Sequence, residues 1–197
     1  MSRLLFITHP EVVIDPAVPV PDWPLSEVGR ARMDRFARSL AAAPVAAVWS
    51  STERKATDGA GILADRCRGA ARTDPDLGEN DRSATGYLAG QEFWDVVQQF
   101  FAHPDDSVRG WETARAAQTR IVGAIRRVLA ATEAPGLVAV VSHGGVGRLL
   151  MAFLQGVEIG EEEPTPHPGG GCWISFDRES LALEGGWRVL EDEWGTI

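Results

Sequence analysis

Leu137-Val138-Ala139-Val140-Val141-Ser142-His143-Gly144-Gly145 is where the chain declares its architecture. Its first five residues form an unbroken apolar run behind Pro135-Gly136, the mark of a strand buried on both faces. Val146, Leu149, Leu150 and Phe153 then recur at helical spacing. A strand that passes directly into a helix sets His143 at the strand's carboxyl end. The helix N-terminus beside it has free N–H groups and the positive end of a dipole, which suit phosphate.

The same pattern recurs upstream. Leu4-Leu5-Phe6-Ile7 is a second buried run and ends at Thr8-His9-Pro10. Val45 to Trp49 is a third, ending at the helix-capping cluster Ser50-Ser51-Thr52. Open α/β sheets bind ligands at the carboxyl ends of their strands. Three strand ends therefore meet at one edge, and two of them carry histidines, His9 and His143. His103 and His167 adjoin prolines in loops and read as ordinary surface residues, although the glycine-rich loop of His167 is placed to overhang the same edge.

The remaining segments fill in the layers. Pro10, Pro16, Pro19, Pro21 and Pro24 make the stretch after His9 a loop. Ser26 caps a helix whose buried stripe is Met33, Phe36, Ala37 and Leu40. Further helices are expected over Glu53–Arg66, Gln91–Phe101 and Trp111–Ala131. A long loop is expected over Glu161–Gly171. Cys172–Asp177, Leu181–Leu183 and Trp187–Leu190 read as an antiparallel edge. The expectation is an α/β fold, a three-layer sandwich whose central sheet is mainly parallel with an antiparallel edge. A single domain over residues 1–197 is expected, with a lid-like excursion at Asn80–Gly110.

Composition narrows the function. The net charge of -9 argues against nonspecific nucleic-acid binding. No apolar run approaches membrane-spanning length and no signal peptide is evident, so a cytoplasmic protein is expected. Cys67 and Cys172 read as reduced thiols. Ser142-His143-Gly144-Gly145-Val146-Gly147 lacks the glycine spacing of a dinucleotide fingerprint, and no cofactor is expected. His9, His143 and Glu79 are not at short ligand spacings, so no metal is expected. The oligomeric state cannot be read. Of the 19 basic residues only Lys55 is lysine.

Five segments, in order, resemble the histidine phosphatase superfamily, the phosphoglycerate mutase-like fold. Leu4 to Pro10 is similar to the strand leading into that family's Arg-His-Gly signature. Pro24-Leu25-Ser26-Glu27-Val28-Gly29-Arg30 resembles its Leu-Thr-x-x-Gly helix start. Ser50-Ser51 through Ala60 resembles its Ser-Ser-x-x-x-Arg-Ala helix. Leu77-Gly78-Glu79 resembles the segment with its acidic residue, and Val141 to Gly145 its second histidine motif.

The resemblance implies a phosphomonoester hydrolase acting on a small phosphorylated substrate. It makes His9 the nucleophile that becomes phosphohistidine, Glu79 the proton donor to the leaving oxygen, and His143 a phosphoryl ligand. Thr8 and Lys55 stand where the family has arginines, Pro10 where it has glycine, and Gly59 where it has threonine. Thr8, Lys55, Gly144 and Arg82 are the expected phosphate-binding residues, with Arg82 and Arg109 flanking the lid as replacement guanidiniums. A lysine is a point charge where arginine is a fork. These departures leave open a second reading, a catalytically impaired member that binds a phosphorylated ligand.

Overall fold

Alternation along the first strand determines the layering. In a computed structural model describing residues 2–167 and 169–195, β1 (Arg3–Thr8) sends Leu4 and Phe6 to one face and Leu5 and Ile7 to the other. All four are fully buried, and each buried Leu or Phe contributes about 1.5–3 kcal/mol. A one-residue slip would exchange the two faces, so register is tightly fixed.

The sheet contains β1, β2 (Val45–Ser50), β3 (Ala71–Thr73), β4 (Leu137–Ser142), β5 (Cys172–Asp177) and β6 (Arg188–Val189), in the order β3-β2-β4-β1-β5-β6. The first four in that order are parallel; β5 and β6 make the antiparallel edge. Helices α1 (Glu27–Leu40) and α2 (Arg54–Cys67) cover the face of Leu5 and Ile7. Helices α3 (Gly90–Ala102), α4 (Ala114–Ala130) and α5 (Gly144–Gln155) cover the face of Leu4 and Phe6. The expected mixed sheet in a three-layer α/β sandwich is the observed one. Among the described residues no helix is long and apolar enough to cross a membrane.

Local signals hold at several boundaries. Ser26 caps α1 by accepting the Gly29 N–H at 2.9 Å. Thr113 caps α4, so the helix expected from Trp111 begins at Ala114. Three details differ from expectation. The strand β3 has all three residues exposed, and without a buried face it shows no hydrophobic alternation. Leu181–Leu183 makes only the bridge Phe176–Leu183. The Asp177 carboxylate there accepts the Glu179 and Ser180 N–H groups, and Leu181 adopts φ 58°, so the chain turns too tightly for a ladder. Trp187–Leu190 shortens to β6. Pro168, inside the expected loop Glu161–Gly171, lies outside the described residues.

The proline-rich loop after His9 is held against α1. Ser26 donates its N–H to Glu11 O at 3.0 Å and its hydroxyl to the Glu11 carboxylate at 2.7 Å. At Gly29 a Cβ would stand 2.2 Å from that same Glu11 carbonyl oxygen, whereas at Gly61 on α2 it would meet nothing within 4 Å. Gly29→Ala should therefore destabilise by about 1–3 kcal/mol. Gly61→Ala should stabilise by up to about 1 kcal/mol. Urea unfolding of both variants checks the pair, and equal shifts would contradict the close approach.

Candidate active site

Both histidines lie at the carboxyl edge of the sheet, where the parallel pairing of β1 and β4 aligns them. Thr8 pairs with Ser142, and the His9 N–H donates to Ser142 O at 2.9 Å. The residues that follow these two strand ends bring the His9 and His143 rings to 5.2 Å between centroids, edge to face at 69°. The Gly-rich loop before β5 closes over His9 from behind, with the Gly171 N–H on His9 O at 3.0 Å. The His167 ring itself turns to the Gly169 N–H at 3.2 Å.

The ring orientation of His9 follows from Pro10. Nδ1 lies 2.9 Å from the Pro10 carbonyl oxygen. A carbonyl can only accept, so Nδ1 bears the proton and Nε2 keeps its lone pair. Burial, His143 and the Lys55 charge together lower the imidazole from 6.5 to about 3. His9 is thus a neutral imidazole with its Nε2 lone pair free, the form a nucleophile requires.

His143 is fully buried. Its Nε2 lies 2.7 Å from Ser51 Oγ and 3.3 Å from Glu53 Oε1. Ser51 Oγ also accepts the Glu53 N–H at 3.3 Å. The other ring nitrogen, Nδ1, has no partner among the described residues. Burial lowers this imidazole too, opposed by Glu53 and Glu79.

Lys55 is 3 % exposed, far from the solvated lysine usual on a helix. It donates to Val20 O at 2.9 Å, in the proline-rich loop, and to Glu53 Oε2 at 2.5 Å. Glu53, immediately before α2, was not singled out from sequence. Burial opposes its ionisation, but His143, the Lys55 ammonium and the Glu79 N–H outweigh that and bring its carboxyl to about 2. Its one sequence signal was position, directly after a strand end at the ligand-binding edge.

Glu79 reaches the N-terminus of α5. Its oxygens accept the Gly145 N–H at 3.1 Å and the Val146 N–H at 2.9 Å. The positive end of that helix, expected to be open to phosphate, is therefore already met by a carboxylate. Burial raises the Glu79 carboxyl, but Arg82, His143 and the Gly145 N–H leave it below the usual range. Around Gly144 the space is open, and a Cβ there would meet nothing within 4 Å. Arg82 stacks 5.4 Å over Phe93 and 5.5 Å over Trp111, on the side of Glu79.

Two expected residues turn elsewhere. Thr8 Oγ1 accepts the Cys172 N–H at 2.9 Å and donates to Cys172 O at 3.3 Å, tying β1 to β5. Arg109 pairs with Glu92 at 2.6 Å on the exposed surface. Two residues absent from the sequence reading support the site. Arg120 on α4 donates to the carbonyls of Asp76, Gly78 and Glu79 at 2.8, 3.0 and 3.1 Å, fixing the turn that presents Glu79. Asn80 is buried with Nδ2 unpartnered, beside Gly145. Among the described residues no group of three His, Cys, Asp or Glu side chains is arranged to hold a metal.

Fold and site together define an α/β protein with a buried polar cluster at the carboxyl edge of a parallel sheet. The family model for the histidine phosphatase superfamily (branch 1) matches residues 15–185, and the chain belongs to that superfamily. No curated protein matches the sequence. Among solved structures it is similar to YhfR of Bacillus stearothermophilus, at 21 % identity and a TM-score of 0.75, covering 93 % of this chain and 94 % of that one. A mycobacterial glucosyl-3-phosphoglycerate phosphatase in complex with inorganic phosphate matches at 23 % identity and TM-score 0.71, covering 95 % of each chain. A phosphoserine phosphatase mutant of Entamoeba histolytica in complex with phosphoserine matches at 14 % identity and TM-score 0.74, covering 94 % of this chain and 96 % of that one.

The buried neutral imidazoles carry a consequence for stability. Both histidines bind a proton more readily in the unfolded chain, whose reference value is 6.5. Stability is therefore fully present above that value and lost as pH falls below it. Glu53 and Glu79 have the reference value 4.5, so their contribution is lost only at lower pH. Between about pH 6.5 and about pH 5 His9 alone should cost the wild type up to about 1.4 kcal/mol per pH unit, and His143 adds to the loss in the same direction. His9→Asn should show a shallower slope in urea unfolding, and an unchanged slope would contradict a neutral His9.

Proposed function

We propose that the protein is a phosphomonoester hydrolase acting through a phosphohistidine at His9 on a small phosphorylated substrate. The observation that carries this reading is the Nδ1–Pro10 hydrogen bond of 2.9 Å, which leaves Nε2 of a neutral ring free beside His143. Membership of the histidine phosphatase superfamily supports it. So does the likeness to structures holding inorganic phosphate and phosphoserine.

In the first step the Nε2 lone pair of His9 attacks phosphorus and the bond from phosphorus to the leaving oxygen breaks. Glu79 gives that oxygen its proton. Glu79 is ionised in the free protein, and an anionic phosphoryl group beside it raises its affinity for the proton it must carry. In the second step water attacks phosphorus, Glu79 takes its proton, and the phosphorus–nitrogen bond breaks to restore neutral His9. His143, Lys55, Arg82 and the Gly144 backbone hold the phosphoryl oxygens. Donors aimed at developing charge are the main source of rate in such transfers. The segment Asn80–Gly110, which brings Arg82 and sets Tyr87 5.2 Å from Trp23 of the proline-rich loop, acts as a lid that selects the substrate.

One observation favours a second reading, a member that binds phosphorylated ligands with impaired turnover. Lys55 is held by Glu53, and the Thr8 hydroxyl by Cys172. Hydrolysis of an aryl phosphate decides between the two. The wild type should turn over and form acid-labile phosphoprotein, and His9→Ala should reduce the rate by about 10³-fold or more. Equal rates for the two proteins would remove the phosphatase reading. Phosphate binding without turnover would establish the second.

A further inference from the structure

Glu53 has no part in the mechanism above, yet it stands inside the cluster. Its side chain is 14 % exposed. Oε2 receives Lys55 at 2.5 Å, while Oε1 receives the Glu79 N–H at 3.0 Å and lies 3.3 Å from His143 Nε2. The groups facing it are thus Lys55 on its own helix, His143 from the β4–α5 junction, and Glu79 from the turn after β3. His9, just after β1, faces His143, Lys55 and Glu79, and Arg82 from the lid acts on Glu79 and His143.

These charges nearly cancel. Lys55 and Arg82 are opposed by Glu53 and Glu79, and both imidazoles are neutral. A phosphoryl group seated between the histidines must share Lys55 with Glu53 and stand close to two carboxylates. At an effective dielectric constant of about 20, one unit charge about 4 Å away alters affinity by roughly a thousandfold, and one about 8 Å away by roughly thirtyfold. With the cations already matched by the two carboxylates, each negative charge of the ligand is uncompensated, so the dianion meets about twice the repulsion that the monoanion does. A hydrogen on the phosphoryl group also has two carboxylate acceptors within the cluster.

We propose that Glu53 is a specificity-determining residue that makes this cleft select phosphomonoesters in their singly protonated, monoanionic form over the dianion. The inference rests on the phosphoryl-binding reading of the site and adds a source for the missing proton. The hydrogen of the monoanion passes from the phosphoryl oxygen to Glu79, which then delivers it to the leaving oxygen. No proton from bulk water is needed in that step.

Calorimetry with inorganic phosphate at about pH 5.5 and about pH 8, on either side of its second ionisation, tests the proposal. Dimethyl phosphate, a monoanion at both values, reports any titration of the protein itself. Wild type should bind phosphate about tenfold or more weakly at the higher pH, with little change for dimethyl phosphate. Glu53→Gln should tighten phosphate at the higher pH by about tenfold or more and dimethyl phosphate by much less. Glu53→Asp, which keeps the charge, should retain the wild-type preference. The proposal is overturned by a dianion bound as tightly as the monoanion in wild type. An unchanged or weaker affinity in Glu53→Gln, or no phosphate binding by either protein, overturns it too. The wild-type comparison stands alone if the glutamine variant folds poorly. Expected binding without aryl phosphate hydrolysis leaves this inference standing and removes the phosphatase reading. Hydrolysis through His9 with no charge preference does the reverse.

Discussion

The parallel ladder on both sides of β4 is the constraint from which the site follows. β1 pairs with it through Thr8 and Ser142, and β2 through Ser50 and Val141. Parallel strands end on the same edge, so whatever follows each strand emerges beside its neighbours. The His9 N–H continues the ladder onto Ser142 O, and the Ser51 N–H continues it onto Val141 O. His9, Ser51 and His143 are therefore neighbours because of backbone pairing, before any of their side chains interact. The two apolar faces enforce the register of that pairing, because a slip by one residue would turn Leu5 and Ile7 toward the wrong helices.

Burial then sets the chemistry of the cluster. A charged imidazole is costly away from water, so the half-buried His9 and the fully buried His143 stay neutral. The two carboxylates remain ionised because each has specific donors, Lys55 and a backbone N–H for Glu53, two helix N–H groups for Glu79. Members of a superfamily can share a fold while differing in the site it holds. In this chain the site holds a lysine–glutamate pair beside the second histidine and a proline carbonyl orienting the first.

The sheet edge and the two histidines were legible in the sequence because they depend on local signals, apolar runs ended by polar residues and capping side chains. The Ser26 cap and β5 were legible for the same reason. β3 was not, because a fully exposed strand is defined only by its partner β2. Lys55 was visible as an oddity among arginines, but its burial depends on Val20 from a loop far away in the chain. Glu53 looked like an ordinary residue at a helix start. Arg120 grips carbonyls 41 to 44 positions away, and no sequence pattern predicts which carbonyls a guanidinium will reach.

The carboxylate at the head of α5 links proton occupancy to the mechanical state of the core. A helix end gains about 0.3–2 kcal/mol from a well-placed negative charge. When Glu79 takes a proton, the first turn of α5 loses that attraction at Gly145 and Val146. The same helix carries Val146, Leu149 and Leu150 into the sheet's packing. Protonating this one side chain therefore weakens the first turn of a helix whose later turns pack on the sheet.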